Sequence, residues 1–302
     1  MPKVAFAPFA EEFIESVRTF LSKFGLSLEL GQEIAANQSR IYNVEMPNGL
    51  VEVIFHRTAR SMTESAPEYR ARVIAKTPPE FTDFARDKED LVNRVATLGA
   101  MLASESAVLS QCLIPDRFAE TTAGLLAVAI AHGRRSLIAA TVRALGGQDG
   151  KIVEVLSAWT ALDFEEIHYD HAHLGIGTIG RRGWTMNFLG GSSLTLDAVH
   201  NNPDWGGGLL CLLRVPKASV VKEGEAIGVR ALNTWSNIVG ETPAFGAWCT
   251  EGDDFVFVQF LPNFVRRLPG LTDSLIAWGL ARSCETVQLV QYERDRLRSV
   301  CV

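Results

Sequence analysis

The sequence has few cysteines and no paired cysteine motif. The five are Cys112, Cys211, Cys249, Cys284 and Cys301, an odd number at wide spacing without a Cys-x-x-Cys pair. Neither a disulfide framework nor a zinc knuckle is predicted, because both need cysteines in matched pairs. The pattern is typical of reduced, mostly buried thiols.

Long apolar runs and an excess of positive charge are also missing. The longest apolar run, Ala123 to Ala131, is well short of the ~20 residues that span a bilayer. Glu11 and Glu12 lie where a signal peptide needs an apolar core. The net charge of −6 argues against a general affinity for phosphate backbones. We expect a soluble cytoplasmic protein, with neither membrane nor nucleic acid as its partner.

Length and composition favour two ordered domains. The 302 residues exceed the usual size of a single domain, and 47% hydrophobic with 21% charged residues is typical of a folded chain. Gly146-Gly147-Gln148-Asp149-Gly150 is a flexible polar segment that suits a boundary. The predicted domains are residues 1–147 and 151–302.

The first half opens with the pattern of a helix and a three-stranded meander. Apolar residues recur at helical spacing from Phe13 to Phe24, and Gly25 is placed to end the helix. Two β-type runs flank Asn48-Gly49, a strong hairpin signal, and a third run covers residues 69–75.

The first half then predicts helix, strand, proline step and helix. Asp87 is placed to cap a helix. The inward positions of that helix would be Leu91, Val95, Leu98 and Leu102. A strand over 106–114 ends at Pro115, and the next helix starts at Thr121 and extends towards Val142.

The second half repeats much of this order. The predicted elements are strands over 183–189, 193–199 and 209–215, a helix over 231–239, strands over 244–250 and 255–261, and a helix from Thr272. The stretch 201–208, which ends in three glycines, is predicted as a loop. All six tryptophans fall in this half, so the halves would differ in packing.

A near-constant offset between the halves predicts an internal duplication. Pro115 and Pro262 lie 147 residues apart (262 − 115), and Leu125 and Leu275 lie 150 apart (275 − 125). The fold class predicted is therefore α+β, with two similar domains in tandem, each a mainly antiparallel sheet packed against helices.

One half resembles the type III secretion chaperone-like fold, which bacterial sensory transduction regulators share. The segments that carry the resemblance are 13–26 before 42–56, 91–102 before 108–115, and 229–239 before 245–262 and 271–282. It rests on element order and apolar pattern and covers most of each half. The resemblance implies non-enzymatic protein binders, often homodimers, so two linked copies would form a covalent pseudo-dimer. A secretion chaperone is usually a single shorter domain, which is a departure.

The sharpest local anomaly is a cluster of histidines. His168, Asp170, His171 and His173 are residue types that bind zinc and similar ions. On a strand, His168 and Asp170 would face one way and His171 and His173 the other, so a further ligand or a loop would be needed. A polar loop or surface strand is the competing interpretation.

A glycine pattern follows directly after the histidines. Gly175, Gly177 and Gly180 match the spacing of a dinucleotide-binding turn, which must lead into a helix. A β-type run follows instead, so a connection or close backbone packing is favoured. No residue is assigned a catalytic, cofactor-binding or metal-binding role.

The sequence favours a non-enzymatic protein- or peptide-binding protein, chaperone-like or regulatory. One alternative is a metal-dependent hydrolase that uses His168, Asp170, His171 and His173. A second alternative is a small-molecule sensor domain. No cofactor is expected, and a monomer that is itself a pseudo-dimer would be the simplest assembly.

Overall fold

A computed structural model of the protein describes residues 5–46, 49–58, 68–76, 89–95, 98–102, 107–114, 118–145, 177–179, 183–202 and 206–300. The helices in these ranges are α1 (Pro8–Ser22), α2 (Glu89–Val95), α3 (Ala119–Leu145), α4 (Lys217–Val220), α5 (Val229–Ile238) and α6 (Leu271–Val300). The strands are β1 (Glu29–Ile34), β2 (Ser39–Met46), β3 (Gly49–Thr58), β4 (Glu68–Lys76), β5 (Ala100–Leu102), β6 (Ala107–Leu113), β7 (Gly177–Ile179), β8 (Gly183–Asn187), β9 (Ser193–Asn202), β10 (Gly206–Pro216), β11 (Ala247–Glu251) and β12 (Asp254–Pro262).

The strands form two six-stranded antiparallel sheets with the same order. The first sheet runs β1-β2-β3-β4-β6-β5, and the second runs β7-β8-β9-β10-β12-β11. In each sheet the first four strands form a meander. The sixth strand of the half (β6 or β12) pairs with the last strand of the meander, and the fifth strand (β5 or β11) lies at the edge. A helix precedes that pair in each half (α2 and α5), and a long helix follows it (α3 and α6). This confirms the predicted α+β fold in two similar halves.

One asparagine in each half closes the end of its sheet in the same way. Asn93 of α2 donates to the carbonyl of Met101 in β5 (3.1 Å) and accepts from its N–H (2.7 Å). Asn233 of α5 makes the same pair of bonds to Trp248 of β11, at 2.9 and 2.7 Å. Each terminal strand therefore has backbone groups satisfied by a side chain, and the shared device supports duplication.

The residue before each long helix adopts the same unusual backbone conformation. Phe118 has φ 59° before α3, and Gly270 has φ 65° before α6. This left-handed region favours glycine and strains a residue with a Cβ. The Phe118 ring lies edge-on to Trp278, with ring centres 6.4 Å apart, so the strained residue contributes a contact between the halves.

The main core lies between the sheets and their long helices. α1 begins with a proline in its first turn, and its buried stripe is Ala10, Phe13, Ile14, Val17 and Leu21. This stripe and α3 contact each other, and α3 also lies against β3, β4 and β6. In the second half α6 contacts β9 and β10, with Leu275 and Leu289 among its buried side chains.

Several local predictions were wrong. The helix expected up to Leu102 ends at Val95, and Leu102 belongs to β5 after Gly99, whose φ is 149°. The hairpin predicted around Asn48-Gly49 is confirmed, but Gly49 is already a strand residue, paired with Met46. Within 201–208, predicted as a loop, Asn202 pairs with Gly206 as part of a hairpin. The domain boundary at 146–150 lies outside the described residues.

An aromatic cluster forms a second contact between the halves. His132 of α3 lies 5.2 Å from the Phe24 ring and 5.6 Å from the Phe264 ring, centre to centre. Burial, and then the charge of Arg135, lowers the pKa of His132 from 6.5 to about 4. The imidazole is therefore neutral in the folded protein near neutral pH.

We predict that Asn233→Leu destabilises the protein by about 2–4 kcal/mol, because it leaves a buried N–H and C=O of Trp248 without partners. Asn93→Leu should lower the free energy of unfolding by a similar amount, because Asn93 forms the same pair of hydrogen bonds with Met101. Urea denaturation measures the change, and Asn187→Leu, at an exposed position, is the control. Losses within about 0.5 kcal/mol of that control would contradict the prediction.

We predict that His132 makes stability fall as pH is lowered. Its folded pKa is below the unfolded one, so its contribution is complete above about pH 6.5 and is lost towards pH 4. His132→Phe keeps an aromatic ring and removes the titration, so its urea midpoint should fall less over this range. Parallel pH curves for the two proteins would show that His132 does not contribute.

Candidate functional site

The motifs singled out in the sequence do not form a site in the described part of the chain. His168, Asp170, His171 and His173 lie outside it, and within it no three His, Cys, Asp or Glu residues are grouped to hold a metal ion. Gly177 begins β7, which pairs with β8 from Met186 to Trp184. The glycine pattern, expected to be a connection or close backbone packing, therefore includes a short strand that pairs with the β-type run after it.

The buried cysteines are unsuited to nucleophilic chemistry. Burial raises the pKa of Cys112 to about 12 and the pKa of Cys249 to about 12. Burial also raises the pKa of Cys211 far above its ordinary value. A cysteine acts as a nucleophile in its thiolate form, and these three remain protonated at neutral pH.

The densest polar cluster surrounds the segment 240–244, which joins α5 to β11. Gln111 of β6 donates from Nε2 to the carbonyls of Ser236 (2.8 Å), Gly240 (3.1 Å) and Thr242 (3.2 Å). The backbone of Gln111 also pairs with that of Ala244 through two hydrogen bonds. One side-chain amide of the first half thus lies within hydrogen-bonding distance of three carbonyls of the second, which share its two N–H groups. We call segment 240–244 and the side chains that bind it the junction.

Arg70 of β4 supports the junction from the first half. Its Nη1 donates to Oε1 of Gln111 (2.8 Å) and to the carbonyl of Gly240 (2.7 Å). Burial lowers the pKa of Arg70. The guanidinium remains charged at neutral pH, so its charge strengthens both bonds.

Two side chains of α6 hold the junction from the second half. Glu285 accepts hydrogen bonds from the backbone N–H groups of Glu241 and Thr242. Arg282 donates from Nη2 to the carbonyl of Pro243, and its guanidinium lies 3.7 Å from the ring centre of Phe257. Burial lowers the pKa of Arg282 to about 10, partly offset by Glu285, so Arg282 is charged at neutral pH.

A small cavity lies beside the junction, between the second sheet and α6. Its volume is about 20 Å³, and Leu194, Leu213, Phe257, Leu275 and Trp278 supply apolar walls. Gly279 also lines it, where a Cβ would come within 2.8 Å of Leu194, so the glycine lets α6 approach β9 closely.

Two buried nitrogen donors belong to side chains that line this cavity. Arg282 and Gln259 are 3% and 5% exposed. No described residue accepts a hydrogen bond from Nη1 of Arg282 or from Nε2 of Gln259. Buried donors are normally hydrogen-bonded, so a small acceptor is expected to complete this site. This cavity is the feature that a small-molecule sensor would require.

The outer edge of β1 is a second candidate surface. β1 is the first strand of its sheet and, among the described strands, pairs with β2 alone. Among the described residues, no hydrogen bond outside the β1–β2 ladder reaches the backbone of 29–34. Leu30 on this strand is 53% exposed. The edge can therefore accept another strand, and the register shift between Leu30 and Gln32 is its one irregularity.

Three carboxylates mark the sheet face beside this edge. Glu29 lies opposite Asn43, Asn43 lies opposite Glu52, and Glu45 follows two residues along β2, so all three acids share one face. No ion pair joins them to a described residue. We call Glu29, Glu45 and Glu52 the acidic corner.

Sequence reasoning missed the junction and assigned its parts to the scaffold. The signal present was a large polar residue among apolar ones: Gln111 in the strand before Pro115 and Gln259 in the strand before Pro262. Arg282 lies on the last helix. Nothing local indicated that Gln111 and Arg282 would bind the same segment.

We predict that Gln111→Leu destabilises the protein by about 3–5 kcal/mol, because it removes the donor to the carbonyls of Ser236 and Thr242 and leaves buried Arg70 with one acceptor fewer. Hydrogen exchange at the Ala244 amide should accelerate, because segment 240–244 loses the Gln111 side-chain bonds that hold it, although the backbone bond from Ala244 to Gln111 can still form. Gln32→Leu, at an exposed position of β1, is the control. Unchanged exchange at Ala244 would contradict the assigned role.

Comparison with known protein families, curated proteins and solved structures returned no match. No helix in the part of the chain that the structure describes is long and apolar enough to cross a membrane. The assignment of function therefore rests on the junction, the cavity and the β1 edge.

Proposed function

We propose that the chain is a non-enzymatic protein that binds an extended segment of a partner protein along the outer edge of β1. The observation that carries the proposal is the contrast between sheet ends. Asn93 closes β5, and Asn233 closes β11. α2 closes β11 further, because Asp90 accepts from the N–H of Thr250 and Arg94 donates to its carbonyl. The six-residue edge of β1 has no such closure among the described residues.

An extended peptide would gain affinity from the backbone of β1 and specificity from alternate side chains. Successive side chains of the added strand face opposite sides of the sheet. Those on the side of the acidic corner would meet Glu29, Glu45 and Glu52, so basic residues are favoured there. Those on the other side would meet Leu30, so apolar residues are favoured there. The proposed partner segment alternates basic and apolar residues.

The duplicated scaffold supports the same function. Type III secretion chaperone-like domains and sensory transduction regulators, which each half resembles, bind other proteins without catalysis, often as dimers. Two linked halves joined through a buried junction would provide the dimer within one chain. We therefore propose a monomeric, chaperone-like or regulatory protein that acts in the cytoplasm, with neither nucleic acid nor membrane as its partner.

The test is NMR titration of the full ¹⁵N-labelled chain with ten-residue peptides that alternate lysine with valine or threonine. We expect saturable shifts in the amides of Glu29 to Ile34, slower hydrogen exchange there, and a Kd of about 10–500 μM, as for a weak transient contact. The same peptides with glutamate in place of lysine should bind at least about tenfold more weakly, because like charges meet at the acidic corner.

Charge reversal supplies the matched control. Glu45→Lys combined with Glu52→Lys should reverse the preference between the two peptides. Glu12→Lys combined with Glu223→Lys changes the net charge equally, at exposed positions elsewhere, and should leave the preference intact. The proposal would be contradicted if the NMR shifts occurred at residues away from β1, or if the basic and acidic peptides bound equally well.

A further inference from the structure

We propose that the cavity between α6 and the second sheet is a binding site for a small monovalent anion, of the size of chloride or formate. The site is separate from the β1 edge, so the anion proposal can be tested independently of the proposed peptide binding. It is defined by Arg282 and Gln259, together with the apolar walls of the cavity.

The donors point to a ligand that only accepts hydrogen bonds. Nη1 of Arg282 and Nε2 of Gln259 are buried nitrogens with no acceptor among the described residues, and both side chains line the same cavity. An unpaired buried donor costs free energy comparable to a lost hydrogen bond, and more when the donor is charged. A single small acceptor could satisfy both groups.

Charge favours an anion over a neutral acceptor. Arg282 is positively charged at neutral pH. The nearby Glu285 accepts the N–H groups of Glu241 and Thr242 through Oε1, its Oε2 has no partner among the described residues, and it does not line the cavity. Cys211, which also lines the cavity, carries no charge because burial raises its pKa far above the ordinary value. The lining therefore contains a cation and no carboxylate.

The size of the cavity restricts the ligand. A volume of about 20 Å³ is somewhat more than the minimum of roughly 10–15 Å³ that a water molecule needs, so the cavity favours a ligand of very few atoms over phosphate, sulfate and larger carboxylates. The apolar walls offer nothing to a second polar group. Halides and formate fit these limits, and they present the same chemistry to Arg282 and Gln259.

The anion would also touch the junction. The Arg282 guanidinium lines the cavity, has no described partner at Nη1, and donates to the carbonyl of Pro243 through Nη2. An anion on one side of Arg282 would orient the group that fixes segment 240–244 on the other side. This gives the site a role in the small-molecule sensing considered from the sequence.

The test compares sodium formate, sodium chloride and neutral formamide against the full-length protein in a gluconate background of constant ionic strength. Formamide matches formate in size and shape and lacks its charge. We expect saturable NMR shifts of the Gln259 side-chain amide and the Arg282 guanidinium with formate and chloride, which compete. A ligand of three heavy atoms reaches at best a Kd of about 1 mM.

Gln259→Leu should weaken formate binding about tenfold, because one hydrogen bond to a charged ligand is lost. It leaves Arg282 and the junction in place. Gln288→Leu, at an exposed position of α6, should bind as the unchanged protein does. In crystals soaked in bromide, an anomalous peak should lie within hydrogen-bonding reach of Arg282 and Gln259.

Two results would overturn the proposal. A water molecule in the cavity with no bromide peak, combined with linear rather than saturable shifts, would show that water alone satisfies the two donors. Equal responses to formate and formamide would show that the site does not select a charge. Binding of chloride but not formate would still support an anion site and would show that its ligands are halides.

Discussion

The five residues from Gly240 to Ala244, which belong to the second half, lie where the two halves contact each other. Buried polar side chains of both halves form hydrogen bonds with the backbone of this segment. Carbonyls and N–H groups removed from water must find partners within the protein. Gln111 and Arg70 supply them from the first half, and Glu285 and Arg282 supply them from the second. Few relative positions of the halves would satisfy all these buried N–H and C=O groups at once. This polar contact therefore restricts the relative position of the halves more than apolar packing would.

The contact between the halves also determines which sheet edges remain open to another strand. The edges nearest the other half are closed by side chains from helices, and the ends of the two sheets next to the junction are thus prevented from pairing with other chains. The outer edge of β1 has no comparable closure in the described part of the chain. An open strand edge beside three carboxylates is a feature suited to binding an extended, basic segment.

Much of the fold could be predicted from the sequence, because most elements have a clear period. The meander, the last hairpin and both long helices follow from apolar spacing and turn residues. β1 was missed since Glu29-Leu30-Gly31-Gln32-Glu33-Ile34 has little β-type alternation. Leu98 and Leu102 continued a helical spacing, yet Gly99 has a φ of 149° and the strand β5 starts at the next residue. The junction could not be foreseen, because Gln111 and Ala244 are far apart in sequence and only the assembled fold brings them together.

The covalent link between the halves has a consequence for stoichiometry. In a symmetric homodimer every surface occurs twice, and a partner of one subunit finds an equivalent place on the other. Here the acidic corner belongs to the first sheet, while Asn187 and Ser193, at the corresponding end of β8 and β9, are uncharged. Thr250 likewise is held by Asp90 and Arg94, a contact between unlike halves. Joining two copies in one chain therefore allows each to specialise, and such a protein would bind one partner per chain while its second half provides rigidity.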